Sequence, residues 1–184
     1  MGNLTRLSEH HERVRTFMLL AGQTIRAWPQ VPSKEERILR ARLILEEAIE
    51  LIHALGCDVY GDDPLNYSVD ATPRSYERAN LVEIADGCAD LSVVLQGTLA
   101  SCGIPDLELL RLVDENNLAK FGPGSSRRAD GKLVKPPGHK PPPIVEFLES
   151  LDPRVRIRPR GRCATCGGED ILEHLTDGRC RHCR

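Results

Sequence analysis

Between Ala79 and Cys102 the chain reads ANLVEIADGCADLSVVLQGTLASC, and the reading of this stretch decides the fold. It is long enough for about six turns of helix and is apolar or small on nearly every side. Its only charges are Glu83, Asp86 and Asp90. At ~100° per residue those three fall within about a 60° arc, in line with Val94, Gly97 and Ser101. A helix that is apolar all round is normally buried, so the acidic stripe is expected to face protein rather than bulk water. No Lys, Arg or His occurs between Arg78 and Arg111, so nothing local neutralises it. Buried carboxylates must be paired, protonated or bound to metal. The stripe therefore calls for divalent metal ions shared with a second acidic helix.

That second helix lies upstream. Ser33-Lys34-Glu35-Glu36 forms a capping box, opening a helix that runs through Leu55 and stops at Gly56. It carries Glu46, Glu47 and Glu50, which span about 100° and share their stripe with Leu39, Leu43 and Ala54. Taken alone, they also read as a solvated face, with Arg42 pairing Glu46 at i,i+4 for a few tenths of a kcal/mol. Together with the isolated acids of the central helix they read as a metal cage. Acids three or four apart project from successive turns of one face. A facing pair completes a set of hard oxygen donors suited to Mg²⁺ or Mn²⁺. Glu50-Leu51-Ile52-His53 is also a Glu-x-x-His element, which four-helix di-iron proteins use twice. No second copy exists in this chain, so the all-oxygen site fits better and His53 is left a packing or supporting role.

The remaining grammar is helical, then extended. Asn3 or Ser8 caps a first helix expected to reach about Ala27, with Leu7, Val14, Phe17, Met18, Ala21 and Ile25 at helical spacing. Trp28-Pro29-Gln30-Val31-Pro32 breaks it. Residues 57–72 read as a loop rich in turn formers. Pro73 or Ser75 begins the central helix and Gly103 ends it. Pro105 and Asp106 start a fourth helix that reaches Lys120. From Gly122 the Gly- and Pro-rich sequence excludes long helices and central strands, apart from a short helix at Ile144–Ser150. Asp152–Arg162 reads as a linker or a single strand. Residues 1–122 are thus expected to be a helical core, 123–151 a Pro-rich extended arm and 152–184 a small cysteine module.

Composition agrees with this division. The 184 residues are 40% hydrophobic but only 4% aromatic, which favours Leu/Ile/Val/Ala-rich helices over a β-sandwich. The net charge of −2 is uneven, with eight Arg against five acids in residues 152–184, an asymmetry that ordinary scatter also produces. No apolar run reaches about 18 residues, so no membrane span is expected. Of seven Cys, three are scattered and four form two pairs near the end, a pattern of reduced, metal-binding thiols in the cytoplasm.

With Glu47-x-x-Glu50 on one helix and Glu83-x-x-Asp86 on the next, the chain resembles the all-α nucleoside triphosphate pyrophosphohydrolases. That superfamily includes MazG, the dimeric dUTPases and phosphoribosyl-ATP pyrophosphohydrolase. Leu39-Arg40, Leu43-Ile44, Glu46-Glu47 and Glu50-Leu51 are similar to its second-helix signature. Asn117-Leu118-Ala119-Lys120, Asp130-Gly131-Lys132 and Lys140-Pro141-Pro142 are similar to the tail of its MazG-like branch. The likeness covers roughly residues 10–145. It implies a four- to five-helix MazG-like bundle, usually a dimer or tetramer. It further implies Mg²⁺ held by Glu47, Glu50, Glu83 and Asp86, with Asp90 a further ligand or a supporting acid. Glu46 would orient or deprotonate water, and Lys120 and Asn117 would contact phosphate or sugar. A nucleoside triphosphate would be cleaved at the α-phosphorus to monophosphate and pyrophosphate. His139 departs from the pattern, standing where related tails often carry an aromatic. The residues themselves also allow Lys120 and Asn117 a plain role at a helix C-terminus.

Cys163-x-x-Cys166 and Cys180-x-x-Cys183 resemble a short zinc ribbon, a four-thiolate structural Zn²⁺ site. His174 or His182 is the alternative for one ligand. Two disulfides would need an oxidising compartment that nothing else suggests. So short a module cannot fold on its own apolar surface, and metal would supply on the order of 10 kcal/mol. Arg154, Arg156, Arg158, Arg160 and Arg162 at alternate positions support a rival from another class, a nucleic-acid- or protein-binding adaptor. They also suit a solvated edge strand, and no aromatic is interleaved for stacking.

Overall fold

Three long helices form the core because each begins and ends on a local signal written in its own sequence. The computed structural model describes residues 6–60, 68–70, 78–129, 131, 133–152, 154–155, 160–162 and 169–171. Helix α1 (Glu9–Leu20) is capped by Ser8, whose hydroxyl accepts from the His11 N–H at 3.0 Å. Helix α2 (Lys34–Ala54) has the expected capping box, with the Ser33 and Glu36 side chains each accepting from the other's backbone N–H. Helix α3 (Leu81–Cys102) is capped by Asn80, which accepts from the Val82 N–H at 2.9 Å.

Two expected boundaries are corrected. Helix α1 stops at Leu20 rather than near Ala27, because Gly22 takes a left-handed φ of 68°. There its N–H reaches the Leu19 carbonyl and the Gln23 N–H reaches that of Met18, closing a Schellman turn. Helix α3 starts at Leu81, since Asn80 is extended at φ −131°. Pro73 and Ser75, the expected starts, lie outside the described residues.

The chain divides into residues 1–142 and 143–184. In the first unit α2 and α3 make the most extensive pair, and α1 packs on α3. A β-carbon placed on Gly87 would lie 3.3 Å from the Leu51 backbone, and one on Gly97 would lie 3.0 Å from Arg40 Nη1. Rising positions on α3 thus meet falling positions on α2, so the two helices are antiparallel. Val14 and Met18 of α1 bury against Ala100 of α3, with Ile25 and Val93 beside them. Polar ties reinforce this corner. His11 Nδ1 is 2.6 Å from Gln96 Oε1, and buried Asp106 accepts from the Ser8 N–H and hydroxyl.

Asp106 opens helix α4 (Asp106–Ala119), which leaves α3 at 114°. It makes no packing on α1, α2 or α3 comparable to theirs. The turn-rich stretch expected to be a loop carries a small antiparallel hairpin, β1 (Asp58–Tyr60) with β2 (Ser68–Asp70). The Pro-rich arm holds an even shorter one, β3 (Ser126–Arg127) with β4 (Leu133–Val134). In the second unit, helix α5 (Ile144–Leu151) falls where the short helix was expected. Strand β5 (Arg160–Arg162) falls within the stretch read as a linker or a single strand, and it pairs antiparallel with β6 (Glu169–Ile171). Among the described residues no single helix is long and apolar enough to cross a membrane.

Candidate active site

A close approach of α2 and α3, Leu51 against Gly87, sets Glu50 and Asp86 beside the seam, one residue before each partner. From there Glu83 and Asp90 follow on α3 at helical spacing. These four carboxylates, with His53 and Arg78, line one open cleft of about 430 Å³. Arg78 lies on the cleft but is held by Asp58 of β1 at 2.9 Å. Glu47 stands one turn back along α2 and lines a second, smaller cavity that shares Asp90 with the cleft.

The expected burial of the acidic stripe is corrected. Glu50, Glu83, Asp86 and Asp90 are exposed, and Glu47 is half-buried. The cause lies in α3, which is covered by α1 and α2 but leaves Leu81 and Val82 open at 81% and 77% exposure. Its all-round apolar surface has more sides than one chain covers.

Crowding still marks the site electrically. The Glu47 carboxyl is pushed up, first by desolvation and then by the charges of Glu50, Asp90, Glu46 and Asp86. Four neighbouring carboxylates, from both helices, therefore act on Glu47. As they stand, no three His, Cys, Asp or Glu side chains among the described residues close into a metal-gripping group. The donor set nevertheless fits a hard divalent cation. It is all oxygen, arrives from two rigid helices, and carries mutual repulsion that a cation would relieve.

Other expected residues stand apart. Glu46 is exposed and does not line the cleft, although its charge reaches Glu47. At the end of α4, Lys120 Nζ donates to Asn117 Oδ1 at 2.6 Å. Neither residue is among those that line the cleft. Cys163, Cys166, Cys180 and Cys183 lie outside the described residues. Of the Arg row, Arg154 pairs with Asp152 through Nη2 at 2.6 Å.

Arg40 and Gln23, on the smaller cavity, were not singled out from the sequence as site residues. A signal existed. Arg40, Leu43 and Glu47 recur at i, i+3 and i+7, which puts a cation on the inward stripe of α2.

A helical bundle with Glu-x-x-Glu facing Glu-x-x-Asp across an antiparallel seam defines the class of the all-α pyrophosphohydrolases. Residues 14–117 match the family model of phosphoribosyl-ATP pyrophosphohydrolase, and the chain belongs to that family, within the MazG-like superfamily. Comparison with curated proteins finds no match. Membership makes the chain a pyrophosphohydrolase of a nucleotide-like substrate, in a family that generally depends on divalent metal.

Proposed function

We propose that this chain hydrolyses a nucleoside triphosphate at the α-phosphorus, releasing nucleoside monophosphate and pyrophosphate. The observation that carries this reading is the cleft itself, with carboxylates from two helices of a pyrophosphohydrolase fold around an opening whose one lining arginine is already paired. In this reading Glu47, Glu50, Glu83, Asp86 and Asp90 hold Mg²⁺ or Mn²⁺. Such an ion supplies charge neutralisation on phosphate oxygens and a lower pKa for water at the site.

The chain's own groups do the rest. Glu46 precedes Glu47 on α2 and its charge reaches that residue; in this reading it orients water and takes its proton. The water oxygen bonds to the α-phosphorus, the bond to the bridging oxygen breaks, and pyrophosphate leaves with the electron pair. Lys120, steadied by Asn117, contacts phosphate or sugar. Since neither residue lines the cleft of its own chain, we assign them to the cleft of a second copy in a dimer or tetramer. The exposed Leu81 and Val82 beside Glu83 support such an assembly. A structural Zn²⁺ on Cys163, Cys166, Cys180 and Cys183 is supported by their spacing, and a cytoplasmic site of action by the unpaired-thiol pattern.

The test is a panel of (d)NTPs and phosphoribosyl-ATP with Mg²⁺ or Mn²⁺, products separated by phosphorus NMR. Monophosphate plus pyrophosphate is expected. Orthophosphate as the first product from every triphosphate would remove the reaction.

A further inference from the structure

Beside the acidic cleft lies a cavity of about 270 Å³ whose walls are mostly apolar, with Val14, Phe17 and Met18 from α1 and Val93 from α3 among them. Its polar groups are few and divided by charge. Glu47 and Asp90 stand at one end, and Arg40 and Gln23 also line it. Seven residues separate Arg40 from Glu47 on α2 and Gly97 from Asp90 on α3. At 1.5 Å per residue that is about 10 Å, room for a base and its sugar with phosphates left at the acids.

Arg40 is 8% exposed, an unusual state for an arginine without a carboxylate partner. Its Nη2 donates to Gln23 Oε1 at 2.6 Å, and a neutral amide does not balance the charge. Glu36, the carboxylate that acts on it through space, is bound by Arg26 at 2.7 Å. Burial accordingly lowers the Arg40 pKa. Nη1 has no hydrogen bond among the described residues, and it faces Gly97, where a side chain would crowd it at 3.0 Å. A guanidinium only donates, so the Gln23 amide must turn its oxygen to Arg40, which leaves its NH₂ as a second donor. That end of the cavity therefore offers mainly donors.

We propose that this cavity takes the substrate's base, and that Arg40 and Gln23 select a base whose edge remote from the sugar carries a carbonyl. The inference rests on the nucleotide reading above. With phosphates at Glu47 and Asp90, the base enters with the edge opposite its glycosidic bond leading. Guanine, hypoxanthine, uracil and thymine present an oxygen there, which accepts from Arg40 Nη1. Adenine and cytosine present an amino group, which leaves a buried donor facing a donor. Sites built around a buried polar partner discriminate strongly against the analogue that leaves it unpaired.

Inosine and adenosine make the sharpest comparison, because they differ at the six-position and lack phosphate. Their binding to the full-length protein is measured by calorimetry in metal-free buffer, alongside turnover of ITP and ATP with Mg²⁺. Inosine is expected to bind at least about tenfold tighter than adenosine. Arg40→Met should bring the two within about threefold, and Gln23→Leu, which removes the second donor, should narrow the preference. Should Arg40→Met fail to fold, the half-buried Gln23 position carries the test alone. Equal binding of the two nucleosides by the unsubstituted protein would overturn the proposal. So would binding of neither at millimolar concentration, or a preference that survives both substitutions. Selective inosine binding with no triphosphate turnover would keep the pocket and remove the reaction. Turnover of ITP and ATP at equal kcat/KM would do the reverse.

Discussion

Gly87 of α3 lies so close to Leu51 of α2 that a β-carbon would stand 3.3 Å from both its Cα and its Cβ. Glu50 and Asp86 are their immediate neighbours in sequence, so the width of the acidic cleft is set at this contact. Gly87→Val forces the helices apart, and overpacking of this kind costs about 1–3 kcal/mol. A lower urea midpoint is expected, together with a loss of turnover of more than about tenfold as the facing carboxylates separate. Unchanged stability and rate in this variant would mean that the seam does not set the cleft.

Removing one carboxylate should abolish activity while leaving the fold intact. Glu50→Gln and Asp86→Asn each delete a proposed ligand and also a repelling charge. We expect both variants to lose Mg²⁺-dependent turnover and to unfold at the same or a higher temperature than the parent in EDTA. Near-normal rates in both would show that the metal site lies elsewhere.

Glu47 and Glu36 make opposite contributions to the dependence of stability on pH. The Glu47 pKa is raised above its ordinary 4.5 by desolvation and neighbouring acids. Its contribution is fully present below 4.5 and is lost as pH rises through the folded value. Glu47→Gln should therefore stabilise the metal-free protein at neutral pH, with the gain vanishing on acidification. Glu36 is lowered to about 2 by its hydrogen bonds to Arg26 and the Ser33 backbone. That contribution is present above 4.5 and lost as pH falls through about 2. Glu36→Gln keeps a capping residue at N3 and should flatten the stability profile in this window. Urea midpoints measured from pH 7 down to 2 check both signs.

What was legible in the sequence follows from how locally each feature is encoded. The Ser33–Glu36 box, the stop at Gly56 and the facing acid sets each need only a few residues of context, and all were readable. The hairpins at Asp58–Tyr60 and Ser126–Arg127 were not, because strands of two or three residues carry no alternation to read. Burial of the acidic stripe was misjudged for a different reason. An all-round apolar helix shows that its faces want cover, but not whether one chain supplies it. Arg40 escaped notice because an arginine on an inward stripe is indistinguishable in sequence from one that snorkels to water.

Exposed apolar residues predict assembly. Leu39 and Leu45 of α2, Leu81 and Val82 of α3 and Leu118 at the end of α4 are all exposed, more large aliphatic surface than isolated monomers usually leave open. We expect light scattering at micromolar concentration to give a stable dimer or tetramer. Leu81→Lys together with Val82→Lys should shift it toward monomer and reduce turnover, since Lys120 would no longer reach a neighbouring cleft. A monomeric parent protein would remove both expectations.

The final prediction separates the two parts of the chain. Every proposed cleft ligand lies by Asp90 and the proposed phosphate contacts by Lys120, whereas the cysteines begin at Cys163. The chain's own division falls between them, after residue 142, in a Pro-rich stretch of the kind that carries few domain contacts. Cutting after Ser150 removes all four cysteines and keeps α5 except its last residue. Mg²⁺-dependent hydrolysis should then stay within about tenfold, or about 1.4 kcal/mol in the barrier. Metal analysis should find one Zn²⁺ per full-length chain and none in the shortened one, and any nucleic-acid or protein binding should leave with the tail. A shortened protein that folds and assembles normally but has lost more than about a thousandfold in rate would sink this division, because the cysteine module would then have to complete the active site.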